Sequence, residues 1–280
     1  MESYTTDSPR ALPPLEDGRD LWKGIFKKMN FRIFDFDPGI GGVPPKEGLM
    51  ERWAMVKALT FDLFGTVLDL SGSLTPFIAS FLKAKGSEAS PQRFWEQWRY
   101  RQRIEQYQDN IMMLGHSGYL ETARRAFVYT LALNRVEASR DEVREFMKAW
   151  QELSPFPDVI PGLRRLKGRY GLVALSNGEP HFLDYLVKNR IHWEFEKVIS
   201  VQVAGAFKPH PGVYLRAASI LGLEVGECMM VSANSFDVMG ARACGFRGAF
   251  VNRYQLPYED TPFQADVVVK DFHELADRLG

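Results

Sequence analysis

Four short polar stretches carry side chains able to do covalent chemistry. They are Asp62 in DLFGT, Ser176 and Asn177 in SNG, Lys208 in FKPHP, and Ser232, Asn234 and Asp237 in SANSFD. Three of them end an apolar run: VKALTFD closes on Asp62, GLVALS on Ser176 and CMMVS on Ser232. A carboxylate at the end of a buried strand is costly unless it is compensated. The Phe-Gly-Thr turn after Asp62 can aim backbone N–H groups at an anion, Thr66 can hydrogen-bond the carboxylate, and Lys208 can bring a cation. These residue types suit chemistry that starts from the carboxylate of Asp62. Each feature also has a plainer explanation when taken alone. Asp62 can cap the next segment, Lys208 can be a surface lysine before a proline, and Asn234 or Ser235 can cap a helix.

The elements that must position these groups follow from periodicity. Residues 76–153 show apolar spacings of three and four in TPFIASFLKAKG, PQRFWEQWRYRQRIEQYQDNIMM, GYLETARRAFVYTLAL and SRDEVREFMKAWQEL, which predicts four helices. From residue 155 onward helical stretches alternate with short apolar strands, GLVALS, KVISV, CMMVS, GAFVN and DVVV. Such alternation predicts a parallel sheet covered on both faces, with ligands bound beyond the carboxyl ends of its strands. The reactive residues fall at those ends. The expected organisation is an α/β core over residues 55–75 and 155–280, with a helical cap inserted at 76–154.

The 35 basic and 35 acidic residues balance, so no net field favours nucleic acid or an anionic membrane. Arg93, Arg99, Arg101 and Arg103 cluster locally and read as a solvated helix face, Arg99 excepted. Cys228 and Cys244 lack metal-ligand spacing and fit a reducing, cytoplasmic setting. No apolar run nears the roughly 18 residues of a membrane span, and no signal-peptide core is present, so a soluble protein is expected. The five histidines show no paired zinc spacing, and Gly-x-Ser-x-Gly is absent. Residues 1–50 read as a disordered or docking extension. FDFDPG at 34–39 lacks the glycine and threonine a nucleophile turn needs, and the GxGG in PGIGGVPP is a weak phosphate-loop signal.

Taken together, DLFGT at 62–66, SNG at 176–178, KP at 208–209 and SANSFD at 232–237 resemble the haloacid dehalogenase superfamily over about residues 56–275. The resemblance implies a Rossmannoid parallel-sheet core with an inserted helical cap. Phosphatases of that superfamily carry a second aspartate two residues after the nucleophile and usually begin their last motif with another. Here those positions are Phe64 and Ser232, so a general acid and a metal ligand are missing. Halide leaves without a proton, and a monoanionic haloacid needs no divalent clamp. Finer features resemble the type II (S)-2-haloacid dehalogenases: WR at 98–99, Tyr214 six residues after Lys208, Phe236 in the last motif and Tyr119 near a substrate-packing aromatic.

The resemblance implies that Asp62 attacks the α-carbon of a small 2-haloacid with inversion and becomes an ester. Leu63 and Phe64 N–H groups, with Ser176, would hold the substrate carboxylate, and Arg99 and Asn177 would receive the halide. Asp237, aided by Ser232 and Asn234, would activate the water that cleaves the ester, while Lys208 beside Tyr214 balances the carboxylates and Thr66 orients Asp62. No cofactor, metal or nucleic-acid partner is implied, and a homodimer is suggested. One departure stands out: the family has an apolar residue four positions after its cap arginine, and here that position is Arg103, followed by Ile104. Either a one-residue helical shift restores an apolar wall or the pocket is more polar. In the second case the substrate differs, for instance a strained-ring or fluorinated acid. A non-catalytic binding module is the remaining alternative.

Overall fold

The first apolar run of the described chain is short, β-prone and buried at every residue: β1 (Ala58–Phe61). Successive strand side chains face opposite sides, so complete burial means that both faces of the strand are covered. The computed structural model describes residues 53–280. The expectations for residues 1–50, FDFDPG included, lie outside the described residues.

A two-residue strand, β2 (Leu68–Asp69), leads into four helices: α1 (Leu70–Ala84), α2 (Pro91–Ile111), α3 (Tyr119–Leu133) and α4 (Arg140–Phe146). A 3₁₀ turn over Met147–Glu152 then brings the chain to β3 (Ser154–Pro155), which pairs antiparallel with β2. The entrance and exit of the helical insert are therefore tied together by one small ribbon. Helix α1 starts at Leu70, ahead of the TPFIASFLKAKG stretch that predicts it. The reason is Pro76: a proline reads as a helix start, yet here it sits inside a helix capped by Asp69, whose carboxylate accepts from Gly72 N at 2.9 Å. The insert has an aromatic core. Phe127 stacks on Phe146 at 4.3 Å, Trp98 meets Trp150 edge-on at 5.6 Å, and Trp98 Nε1 donates to Ala123 O at 2.7 Å. These contacts fix one side of α2 within the insert and leave Arg99, Arg103 and Gln106 on another.

The chain then alternates as its pattern predicted: α5 (Val159–Leu166), β4 (Gly171–Ser176), α6 (Pro180–Leu186), β5 (Lys197–Ser200), α7 (Pro211–Leu221), β6 (Cys228–Ser232), α8 (Ser235–Ala243), β7 (Arg247–Val251), β8 (Val267–Val269) and α9 (Phe272–Leu279). The sheet order is β5-β4-β1-β6-β7-β8, all parallel. The chain fills one side of β1 with β4 and β5, then crosses to the other side with β6. The order thus reverses at β1, which opens a crevice at its carboxyl end. Phe61 is in register with Ala174 and Val231, so the next residue, Asp62, is level with Leu175 and Ser232. Among the described residues, no helix is long and apolar enough to cross a membrane.

Candidate active site

Asp62 is placed by the sheet: its N–H continues the ladder to Val231 O at 3.0 Å while its carboxylate leaves the strand end, 5% exposed. Its Oδ2 accepts from Thr66 Oγ1 at 2.8 Å and from Asn234 Nδ2 at 2.9 Å. Thr66 Oγ1 in turn accepts from Ala233 N at 2.8 Å. The carboxylate therefore caps nothing; two residues hold one of its oxygens, and the other is left with Lys208 Nζ at 3.4 Å. The turn that follows requires a left-handed backbone at Gly65 (φ +91°). It leaves the N–H groups of Leu63 and Phe64 without a hydrogen bond among the described residues, a pair of donors available to an anion.

Lys208 is 1% exposed and sits between two carboxylates, with Asp237 Oδ2 at 2.9 Å, Asp62 Oδ1 at 3.4 Å and Leu175 O at 2.6 Å. Tyr214 Oη donates to Asp237 Oδ1 at 2.8 Å. Burial lifts the Asp237 carboxyl above its ordinary range; Lys208 pulls it down, and the nearby Asp62 charge pushes it up again. Burial, with Asp237 alongside, holds the Tyr214 phenol well above its usual value, so Tyr214 stays neutral and donates a hydrogen bond at every physiological pH. Helix α8 carries Asp237 close to Lys208 because residue 240 is glycine. A Cβ there would come within 2.6 Å of Pro209 Cβ and 2.9 Å of Tyr214 Oη.

Asn234 occupies the N-cap position of α8 but makes no side-chain cap, because its amide is spent on Asp62. The family resemblance implies that Ser232 assists Asp237. Its Oγ instead accepts from Asn234 N at 3.1 Å, so it shapes the turn that aims Asn234. Ser176, also fully buried, has an Oγ with no hydrogen-bond partner.

Helix α2 closes the site. Arg99, Arg103 and Gln106 follow at helical spacing on one face and line a cavity of about 10 Å³, room for about one water molecule. Asp62, Asn177, Lys208, Asn234 and Asp237 form its floor, and Phe64, Tyr119 and Phe236 its aromatic walls. Arg99 Nη1 donates to Gln102 Oε1 at 3.0 Å and to Tyr119 Oη at 3.2 Å. Tyr119 stacks flat on Phe64 with ring centres 4.0 Å apart, and burial pushes its phenol up to about 12. Asn177 is used on both sides: its Nδ2 donates to Gln106 Oε1 at 3.3 Å, and its Oδ1 accepts from Lys208 N at 3.0 Å.

Arg103, not Ile104, faces the cavity, so no helical shift restores an apolar wall. Its guanidinium lies 4.8 Å over the Phe236 ring, and its Nη2 is 3.5 Å from Asn234 Oδ1. Burial and the neighbouring Arg99 charge lower its proton affinity.

Three further residues, which lie outside the sequence motifs, hold the arrangement. Gln106 is one, and the i, i+4, i+7 spacing from Arg99 was the available signal. Asn110 is another: its amide exchanges two hydrogen bonds with the Phe207 backbone, at 2.7 and 2.8 Å, fastening the end of α2 beside Lys208. His116 is the third, with Nε2 2.8 Å from Asn177 O and its ring 4.2 Å from that of Phe207. Among the described residues, no group of three or more His, Cys, Asp or Glu side chains is placed to hold a metal ion.

A family model described as haloacid dehalogenase-like hydrolase matches residues 56–245. A (S)-2-haloacid dehalogenase of Xanthobacter autotrophicus is 32% identical over 200 residues, covering 71% of this chain and 76% of that protein. Haloacetate dehalogenase H-2 of a Moraxella species is 29% identical over 216 residues, covering 76% and 93% respectively. Among solved structures, the L-2-haloacid dehalogenase of Xanthobacter autotrophicus with chloropropionic acid covalently bound superposes with a TM-score of 0.68 at 26% identity. It covers 79% of this chain and 97% of its own.

Proposed function

The chain belongs to the haloacid dehalogenase-like hydrolase family, and on that premise we propose that it hydrolyses small (S)-2-haloacids to (R)-2-hydroxy acids and halide through an ester on Asp62. The observation that carries this reading is the uneven support of the Asp62 carboxylate. Oδ2 is held by Thr66 and Asn234, while Oδ1 has only a long contact to Lys208 and keeps lone pairs for attack.

The Leu63 and Phe64 N–H groups and the unpartnered Ser176 hydroxyl hold the substrate carboxylate. Arg99 and Asn177 receive the halogen, with Tyr119 and Phe236 enclosing the α-carbon. Oδ1 forms a C–O bond as the C–X bond breaks, and that bond's electron pair leaves with the halide. Attack opposite the halogen inverts the centre. Asp237, fixed by Tyr214 and Lys208, accepts a proton from a water as its oxygen adds to the ester carbonyl of Asp62. Collapse of the adduct returns the Asp62 carboxylate with one oxygen from water, and the departing alkoxide takes a proton. Overall, one water is consumed and the hydroxy acid, a halide ion and a proton are released.

Lys208 stands between the two carboxylates and supplies the positive charge there. With Phe64 and Ser232 at the positions where phosphatases carry aspartates, this supports a reaction that needs neither a general acid for the leaving group nor a metal. We read residues 76–154 as a cap over a core of 55–75 and 155–280, supported by the ribbon that ties the insert's ends. A homodimer is kept as part of the reading, supported by the exposed apolar run Ile111–Leu114, and a cytoplasmic setting by the two free cysteines.

The test is halide release from (S)-2-chloropropanoate in the presence of a chelator. Asp62→Asn lowers it at least ~10⁴-fold. Magnesium-dependent turnover of p-nitrophenyl phosphate, with no halide released from haloacids, overturns the reading.

A further inference from the structure

Cations buried near the site are neutralised by carboxylates. Lys208 faces Asp62 and Asp237, and Arg253 Nη2, on a side chain 7% exposed, meets Asp158 at 2.9 Å. Arg99 and Arg103 break this pattern: among the described residues neither forms an ion pair, although both line the cavity. Arg103 is the less satisfied of the two. Its Nε is buried without a hydrogen-bond partner, and its one polar contact is the 3.5 Å approach to Asn234. Glu259, a carboxylate whose charge raises the Arg103 proton affinity, accepts from Ser235 Oγ at 2.7 Å and makes no ion pair with Arg103. Two guanidiniums one helical turn apart repel each other, and partial burial adds to the cost. An arrangement of this kind is favourable when an anion joins it.

The anions of the proposed reaction can be assigned in turn. Asp62 and Asp237 share Lys208. The substrate carboxylate has the Leu63 and Phe64 N–H groups and Ser176, and the halide has Arg99. The α-carbon bears four substituents: carboxylate, halogen, hydrogen and a side chain. Arg103 is therefore available only to the side chain. We propose that Arg103 is a receptor for a second anionic group, so that the preferred substrates are 2-halodicarboxylates of the 2-chlorosuccinate type. A planar guanidinium can make a two-point contact with a carboxylate, and that of Arg103 is held over the Phe236 face.

This inference rests on the dehalogenase reading, and the experiment separates the two. The full chain is assayed for halide release from (S)-2-chlorosuccinate and (S)-2-chloropropanoate, as wild type, Arg103→Leu and Arg103→Lys. The wild type favours chlorosuccinate at least ~10-fold in kcat/KM. Arg103→Leu lowers kcat/KM for chlorosuccinate at least ~10-fold more than it does for chloropropanoate, and the extra loss falls mainly on KM. Arg103→Lys keeps the dicarboxylate preference in part. Wild-type preference for the monoacid overturns the proposal. So does an equal loss on both substrates carried by kcat, which would make Arg103 a positioning residue for Asn234. Absence of halide from both acids overturns the dehalogenase reading itself, and this inference with it.

Discussion

Replacing Lys208 with methionine keeps the unbranched stem and removes the one cation between Asp62 and Asp237. At 3.4 and 2.9 Å, each attraction is about 5 kcal/mol for an effective dielectric constant of about 20. Desolvation of the three charges offsets most of that sum, and removal of one partner of a buried pair costs about 3–5 kcal/mol net. For a domain of this size the melting temperature should fall by about 6–20 °C near neutral pH.

The sign of the pH dependence follows from the protons. Asp237 already sits above the ordinary carboxylate range in the folded protein, and loss of the ammonium raises it further. The folded variant then binds more protons than its unfolded chain, so its stability rises as pH falls toward that raised value. The deficit against wild type should narrow as pH falls from neutrality toward the raised Asp237 value, as measured by calorimetric unfolding over that range. Adding Asp237→Asn to the methionine variant removes the orphaned charge and should recover at least half of the loss. A deficit below about 1 kcal/mol, or one that stays constant across that pH range, would refute the reasoning.

Two other substitutions probe the site. Ser176→Ala removes a buried hydroxyl that has no hydrogen-bond partner among the described residues, so unfolding should show stability unchanged or raised by up to about 1 kcal/mol, while KM for the haloacid rises about tenfold. A lower melting temperature with unchanged KM would assign Ser176 to structure alone. Tyr214→Phe removes a hydrogen bond that favours ionised Asp237, so the acid limb of the kcat profile should move to higher pH, with kcat approaching wild type on the alkaline side. A uniform drop at all pH values would mean that Tyr214 acts through packing instead.

The parts of the site that were legible in the sequence are those a single strand announces. Asp62, Ser176 and Ser232 each end an apolar run, and a parallel sheet with its switch point at β1 brings such ends together. Lys208 and Asp237 followed because their motifs come in the expected order. The contacts between elements were not legible, since they depend on how α2 settles on the sheet. Gln106 meeting Asn177, Asn110 fastened to Phe207, and His116 against Asn177 O are all of this kind. Asn234 was open to two readings because a helix N-cap and an Asp62 donor want the same residue type; the direction of its amide distinguishes them. Arg103 shows the same limit from the other side. Its position on the helix was readable, but whether it or Ile104 faced the cavity depended on the rotation of α2. Pro76 masked the true start of α1 because a proline inside a helix is indistinguishable, in sequence, from one that begins it.

The carbon–oxygen bond made by Asp62 can be followed with isotope. With enzyme in excess over haloacid in H₂¹⁸O, a single turnover should place one heavy oxygen in the Asp62 carboxylate, found by mass spectrometry of the peptide that contains it, and leave the hydroxy acid unlabelled. Heavy oxygen in the product and none in the peptide would mean that water attacks the substrate directly and that Asp62 is not the nucleophile.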